Sequence, residues 1–297
     1  MKTAARLAVV TGASTGIGRA VAQRFARAGW DCLAGVRTEA AHRWWLGAAA
    51  AETAVARHVT PITVDVTVST DRDAVLREVQ SRGGRLHALV NAAGIASPGA
   101  YALGNDASDR AIVETNLLGP MALVRDLLPA LRAAADDRSE REAPAVVINV
   151  ASIAGLAPMP WQSAYHAAKF GLVGWSDAVD HELRSEGIRV VSVLPGTVRT
   201  PMLKKADATL AAALNAMPGS APSVYRVGLT RFRRSARLAE RFATTPQAVA
   251  EAVFALASTP NPSTRVVVGA DAHFIRAIVR CLPHGLAMTV LRGLLSV

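Results

Sequence analysis

Cysteine is almost absent from this chain. Only Cys32 and Cys281 occur in 297 residues, far apart, and Cys32 lies within an apolar run where it reads as a small core residue. That excludes a disulfide framework and a cysteine-built metal site, and predicts a reducing, cytoplasmic setting. Long hydrophobic runs are missing too. A membrane-spanning helix needs about 18 apolar residues, and the nearest candidate, His273 to Val297, is interrupted by Arg276, Arg280, Pro283 and Arg292. The apolar part of "MKTAARLAVVTGAS" is too short for a signal-peptide core and runs into a glycine turn. Acidic residues are in deficit, 23 against 33 Lys and Arg, giving a net charge of +10. Such a balance suits an anionic partner. The excess, however, is a general arginine bias with no nucleic-acid-binding module beside it, so no nucleic acid is expected.

What is present is a regular alternation. Seven short Val-rich runs, "LAVVTG", "DCLAGV", "PITVDV", "LHALVNAAG", "AVVINVAS", "RVVSVLPG" and "RVVVGADA", lack period-2 patterning and read as strands buried on both faces. Helical segments separate them, near Ile17–Ala28, Thr70–Arg82, Ser108–Ala134, Gln162–Glu186 and Pro246–Ser258. Strand and helix in alternation predict an α/β fold: a doubly wound, seven-stranded parallel sheet with helices on both faces, as a single domain over 1–297. Two stretches depart from the rhythm. Asp136 to Pro144, "DDRSEREAP", reads as a solvated loop or helix extension. Residues 201–245 hold no strand and follow a strand's C-terminal end, where α/β folds place specificity elements, so a helical substrate lid is expected there. A surface helix pair is the bland alternative.

The glycines of "VVTGASTGIGRA", Gly12, Gly16 and Gly18, fall between the first strand and the first helix. Glycine there allows a tight turn and lets a pyrophosphate approach the free N–H groups of the helix. An acidic residue ending the second strand would select NAD. The strand ends instead with Val36 and Arg37, and an arginine fork can hold a 2′-phosphate, so NADP(H) is preferred over NAD(H). An exposed arginine with no ligand is the alternative. Asp65 in "VDVT" is placed to accept from an adenine amino group or to serve as a turn residue. The small residues of "NAAG", Ala92, Ala93 and Gly94, leave room for a ring system at the sheet edge. Tyrosine is scarce, three in all, and the basic residues are overwhelmingly arginine. Yet Tyr165 and Lys169 stand four apart in "SAYHAAKF", on one face of a predicted helix. An amphipathic helix with an exposed lysine would give the same spacing.

With "TGASTGIG", "NAAG", Asn116, Ser152 in "NVASIAG", "YHAAK" and "PGTVRTPM" in this order, the chain resembles the short-chain dehydrogenase/reductase family over nearly its full length. The resemblance implies a Rossmann-type fold and hydride transfer between nicotinamide and an alcohol or carbonyl. It implies a catalytic set of Asn116, Ser152, Tyr165 and Lys169. Tyr165 would be the general acid/base, with its pKa lowered by Lys169, which also bonds the ribose. Ser152 would hold the substrate oxygen, and Asn116 a water linking Lys169 to solvent. The cofactor would contact Gly12, Ser14, Thr15, Gly16, Ile17, Gly18, Arg37, Asp65, Val66, Asn91, Ala92, Gly94, Pro195, Gly196, Val198 and Thr200, besides Tyr165 and Lys169. The chain departs from the family in having Ala92 for a second Asn and no basic residue before Gly16. His166 is rotated about 100° from the Tyr165 face and reads as structural.

Mostly apolar lid and pocket candidates, Tyr101, Trp161, Met202, Leu203 and Leu210, imply a small hydrophobic alcohol or carbonyl substrate, with Trp161 and Met202 joining Ser152 and Tyr165 around it. The "VG-x-DA" segment after the last strand resembles the branch containing retinol and 17β-hydroxysteroid dehydrogenases. In the C-terminal extension, 270–297, Phe274, Ile275, Ile278, Val279 and Leu282 recur at helical spacing. Packing against the lid or a second subunit, a channel wall, and interfacial membrane contact are all compatible with that stripe. Homo-oligomers are usual in the family. Diversion to epimerase or dehydratase chemistry, or a non-catalytic cofactor sensor, would accompany an altered constellation, and all four residues stand.

Overall fold

The computed structural model describes residues 5–136 and 144–294. Its sheet has seven strands, β1 (Leu7–Val10), β2 (Asp31–Val36), β3 (Val59–Thr63), β4 (Ala88–Asn91), β5 (Ala145–Val150), β6 (Ile188–Pro195) and β7 (Arg265–Val268). They lie in the order β3-β2-β1-β4-β5-β6-β7, and every pair is parallel. Each of β1, β4, β5 and β6 is buried along its whole length, which is why their sequences run apolar without alternation.

The helices are α1 (Gly16–Arg27), α2 (Glu39–Ala51), α3 (Thr53–His58), α4 (Ser69–Ser81), α5 (Asp106–Val113), α6 (Gly119–Ala135), α7 (Ser163–Leu183), α8 (Pro201–Asn215), α9 (Ser223–Ala239), α10 (Pro246–Ala257), α11 (Ala270–Cys281) and α12 (His284–Leu294). On one face, Ala8 and Val10 share a core with Val21 and Phe25 of α1 and with Val249 and Val253 of α10. On the other, Leu7 and Val9 share one with Val75 of α4 and with Leu123 and Leu127 of α6. Adjacent β1 residues therefore feed opposite cores, the arrangement expected of a doubly wound sheet.

The structure departs from the sequence reading in three places. Between β2 and β3 the Ala-rich stretch forms α2 and α3, where no helix was expected. Strand β3 occupies 59–63 instead of 61–66, so Asp65 and Val66 lie beyond its end. It is an edge strand, where Pro61 is tolerated. The long helix expected over Ser108–Ala134 is divided by a π-helical turn, Glu114–Leu118. Pro120 follows that turn and has no N–H for the carbonyl four residues earlier, which belongs to Asn116. The charged stretch expected as a loop between Asp136 and Pro144 falls, over 137–143, outside the described residues.

Residues 201–245 are chiefly α8 and α9, which pack together through Leu210, Leu229 and Phe232 over Ala100. In the C-terminal segment Ile278, Ala287 and Leu291 pack with Ala157, while Phe274 stays exposed. Among the described residues, no helix is long and apolar enough to cross a membrane.

Helix α7 is fastened to β6 by a buried ion pair. Asp180 accepts from Arg189 Nε at 2.9 Å, from Val190 N–H at 2.9 Å and from Arg184 Nη2 at 2.7 Å. Burial works against its ionisation, but Arg189, the Val190 N–H and Arg184 together hold the carboxyl below its usual range. Asp180→Ala leaves Arg189 charged and buried without its partner. Urea unfolding of this variant is expected to show a loss of about 3–5 kcal/mol, and a loss under about 1 kcal/mol would show that the pair does not secure α7.

Candidate functional site

The direction of winding reverses between β1 and β4, and a crevice opens beyond their C-terminal ends. The Thr11 hydroxyl accepts from Ala92 N–H at 3.1 Å and Ala93 N–H at 3.2 Å, seaming the two loops together. Gly12 has φ 66°, and a β-carbon there would lie 2.7 Å from the Ala92 carbonyl oxygen. Glycine is thus required by both the turn and the close approach. The first turn of α1 carries no acidic residue, and its N-cap Thr15 makes no side-chain capping bond. Its N–H groups and dipole are available to an anion, so this end of the crevice fits a pyrophosphate.

The outer side of the glycine turn is held by residues that sequence reasoning missed. Trp45, buried on α2, donates from Nε1 to the Ala13 carbonyl at 3.1 Å. Arg19 donates to the Ser14 carbonyl and stacks 3.5 Å over the Trp44 ring. The pair "WW" in an Ala-rich stretch carries no local sign of this contact, because α2 itself was not foreseen. Arg37 is exposed at the end of β2, with Nη1 3.9 Å from Asp65 Oδ2.

Three residues expected at the cofactor, Asp65, Val66 and Asn91, have side chains engaged within the protein. Asp65 Oδ1 accepts from Thr67 N–H at 3.0 Å and Thr67 Oγ1 at 2.7 Å. Despite burial, those two bonds and Arg37 hold its carboxyl below the usual range; Oδ1 makes a turn with Thr67, and Oδ2 faces Arg37 at 3.9 Å. Val66 turns its side chain into the core, and its carbonyl accepts from Arg72 at 3.1 Å. Asn91 directs its amide into the sheet, donating to Asn149 Oδ1 at 2.9 Å, and Asn149 in turn donates to Ser176 Oγ at 2.8 Å. These side chains support the crevice edge from behind.

Ser152 lies two residues beyond β5 and caps a short 3-10 turn, its Oγ accepting from Ala154 N–H at 3.1 Å. Tyr165 stands in the first turn of α7, and Lys169 one turn later is buried, donating from Nζ to the Val150 carbonyl at 2.9 Å. Lys169 Nζ is 5.7 Å from the centre of the Tyr165 ring. This corrects the expected lowering of the Tyr165 pKa. Burial pushes the phenol up, opposed by its hydrogen bond with Ser152, and the ammonium is turned to a backbone carbonyl. Burial instead lowers Lys169 to about 8.

Asn116 engages one residue with both ends of its amide: Oδ1 accepts from Ile95 N–H and Nδ2 donates to the Ile95 carbonyl, both at 2.8 Å. Its backbone carbonyl stands four residues before Pro120, which has no N–H to give it. His166 accepts from Met159 N–H on Nε2 at 3.0 Å, so Nδ1 carries the proton and donates to the Ala154 carbonyl at 2.8 Å. Burial lowers its pKa while Ala154 opposes. His166 is a neutral strut.

Ser152, Tyr165 and the Pro195–Thr197 segment open onto a cavity of about 340 Å³, walled by α8 and α9 through Met202, Leu203, Leu210 and Phe232. Trp161, expected at the substrate, is not in that wall. With φ 70°, the one non-glycine positive φ among the described residues, it lays its indole where a β-carbon on Gly228 would collide. Its carbonyl accepts from Gly99 N–H at 2.8 Å, so Trp161 pegs α9 to the loops beneath. Tyr101 also lies outside the cavity and is 79% exposed. Among the described residues no cluster could hold a metal ion.

The family model for short chain dehydrogenases matches residues 6–211. The human (Homo sapiens) 3-oxoacyl-[acyl-carrier-protein] reductase is 36% identical over 199 residues, 67% of this chain and 78% of that protein. Ketoacyl reductase HetN of Nostoc sp. is 32% identical over 192 residues, 64% of this chain and 62%, less than two thirds, of that protein. Among solved structures, a short-chain dehydrogenase from Streptomyces avermitilis has a TM-score of 0.75 at 27% identity, covering 98% of this chain and 99% of its own. A single-site variant of actinorhodin polyketide ketoreductase, with NADPH, has a TM-score of 0.72 at 28% identity, covering 92% and 99%.

Lys169 is held at a cost to stability. Its pKa is about 8 when folded against 10.5 in the unfolded chain, so the penalty is complete below pH 8 and fades as pH rises through 10.5. Desolvation of the ammonium amounts to roughly 3 kcal/mol, offset by about 1 kcal/mol from the Val150 bond. Lys169→Met is therefore expected to be more stable than the parent by roughly 2 kcal/mol at pH 7, with the gain shrinking toward pH 10. Denaturation curves across that range would reject the account if the gain were absent or independent of pH.

Proposed function

The chain belongs to the short chain dehydrogenases, oxidoreductases of carbonyl and hydroxyl groups that use a nicotinamide cofactor, and on that premise we propose that it is an NADP(H)-preferring enzyme interconverting a hydrophobic ketone or aldehyde and its alcohol. The observation that carries the reading is the joint opening of Ser152 and Tyr165 onto an apolar cavity beside the crevice at the strand reversal. The cofactor, when bound, supplies or accepts the hydride.

The protein's own part is to hold the reacting oxygen and move a proton. Ser152 Oγ and the Tyr165 phenol grip the oxygen, and Tyr165 gives or takes its proton. Burial raises that phenol, which favours its neutral form, the form that gives a proton to a carbonyl oxygen. Lys169 leaves the Val150 carbonyl for the ribose edge and Tyr165, and the Asn116 carbonyl holds a water that links Lys169 to solvent. The α1 N-terminus receives the pyrophosphate. Arg37 exchanges its distant contact with Asp65 for a 2′-phosphate, and Pro195, Gly196, Val198 and Thr200 border the nicotinamide.

Helices α8 and α9 are the substrate lid, and Ile275 of α11 adds to the cavity wall. The human and Nostoc relatives named above are ketoacyl reductases and one structural neighbour is a polyketide ketoreductase, which favours acyl-chain or polyketide-like ketones over the retinoids and steroids suggested by "VG-x-DA". Exposed Leu118 and Phe170, 49% and 41%, suit contact with a second copy in a homo-oligomer.

Two variants test this. Arg37→Asp should weaken NADPH binding about 10–100-fold and invert the preference toward NADH; equal parental affinity for the two cofactors would remove Arg37 from the account. Tyr165→Phe should bind NADPH as the parent does and lose about 10³-fold or more in reduction of a hydrophobic ketone panel. Retained turnover would end the proton-donor assignment.

A further inference from the structure

The segment after β6 is held by a carboxylate from a distant part of the chain. Asp271, the second residue of α11, accepts from Thr197 N–H on Oδ2 at 2.6 Å and from Ala272 N–H on Oδ1 at 2.9 Å. No cation pairs with it among the described residues. The space a side chain on Gly196 would need is filled by this carboxylate, with which any β-carbon would collide. A β-carbon on Gly269, whose φ is 107°, would come within 2.8 Å of Asp271 Oδ1. Both glycines are therefore cut to fit the carboxylate. Gly196 N–H donates to the Val268 carbonyl at 3.0 Å, and Thr244 N–H donates to the Thr197 carbonyl at 2.9 Å.

A charged acceptor at 2.6 Å fixes the plane of the Gly196–Thr197 peptide, since a planar trans unit turns as one body. That peptide lines the cavity together with Ser152 and Tyr165. We propose that Asp271 is a positioning residue that sets the nicotinamide-side segment Pro195–Thr200, and that Gly196 is glycine in order to admit the Asp271 carboxylate and not to admit the cofactor. The inference rests on the nicotinamide reading given above. It converts the "G-x-DA" motif from a mark of substrate branch into a part of cofactor placement.

The test compares NADPH with 2′-phospho-ADP-ribose, which carries the adenosine and phosphate portions and lacks nicotinamide. Binding of each is titrated to the parent, Asp271→Ala, Asp271→Asn, Gly196→Ala and the double variant Gly196→Ala/Asp271→Ala. Asp271→Ala should weaken NADPH roughly tenfold or more, as expected for loss of a charge-assisted bond, and leave the analogue unchanged. Asp271→Asn keeps one carbonyl oxygen for Thr197 and should fall between. Gly196→Ala should also weaken NADPH, and removal of the carboxylate should relieve that loss, so the double variant binds no worse than Asp271→Ala. Equal weakening of both ligands, an unchanged NADPH affinity in Asp271→Ala, or additive losses in the double variant would overturn the proposal. Should Asp271→Ala fail to fold, the Asn and Gly196→Ala variants still decide it through the ratio of the two affinities. A parent that binds the analogue as tightly as NADPH would overturn the inference alone. A parent that binds neither would overturn the nicotinamide reading beneath it.

Discussion

The Thr11 hydroxyl closes the seam at which the sheet changes its direction of winding. By accepting the N–H groups of Ala92 and Ala93 it ties the end of β1 to the end of β4, and Gly12 then has to pass so close that a β-carbon on it would lie 2.7 Å from the Ala92 carbonyl oxygen. The crevice exists because crossovers leave β1 and β4 toward opposite sides, and it has a defined width because this seam holds its floor. The glycine turn and the free N–H groups of α1 lie on one side. Ser152, beyond β5, and Tyr165 and Lys169, on α7, lie on the other.

Beyond that floor Lys169 is buried at a cost. An ammonium buried at 4% exposure with a single carbonyl partner is a poor contribution to folding. Asp180 and Arg189 counter it by fastening the far end of the same helix to β6. The same long helix is thus strained near its N-terminus, where the chemistry is, and secured near its C-terminus, where it is not. This division fits the general pattern in which functional residues are carried by elements that are over-determined elsewhere.

The sheet was readable because burial on both faces leaves a plain Val-rich signature, and the glycine turn and Tyr165–Lys169 pair were readable because their spacing is local. Less legible was anything set by contacts between distant segments. That the Asn91 side chain bonds Asn149 is invisible in "NAAG" until the two are brought into register. Trp161 looks like a pocket aromatic until Gly228 is brought beneath it. The break in the long helix was half visible, since Pro120 is plain in the sequence, but its effect on the Asn116 carbonyl depends on the π-helical turn. The Ala-rich α2 was missed because neither its apolar period nor a cap stood out, and with it went the Trp45 contact to the glycine turn.

The fastening of Pro195–Thr200 has a consequence for the order in which the protein is made. Its contacts come from Val268 and Asp271 behind it and from Thr244, so the two halves of the crevice mature at different times during synthesis. The phosphate-receiving half needs β1, β2 and β4 with their adjoining helices, all contained in the first part of the chain. The other half waits for a pairing of β6 with β7 that spans a long crossover and is slow to close. The wall beside Ser152 and Tyr165 is thus complete only when β7 and α11, near the far end of the sequence, are in place.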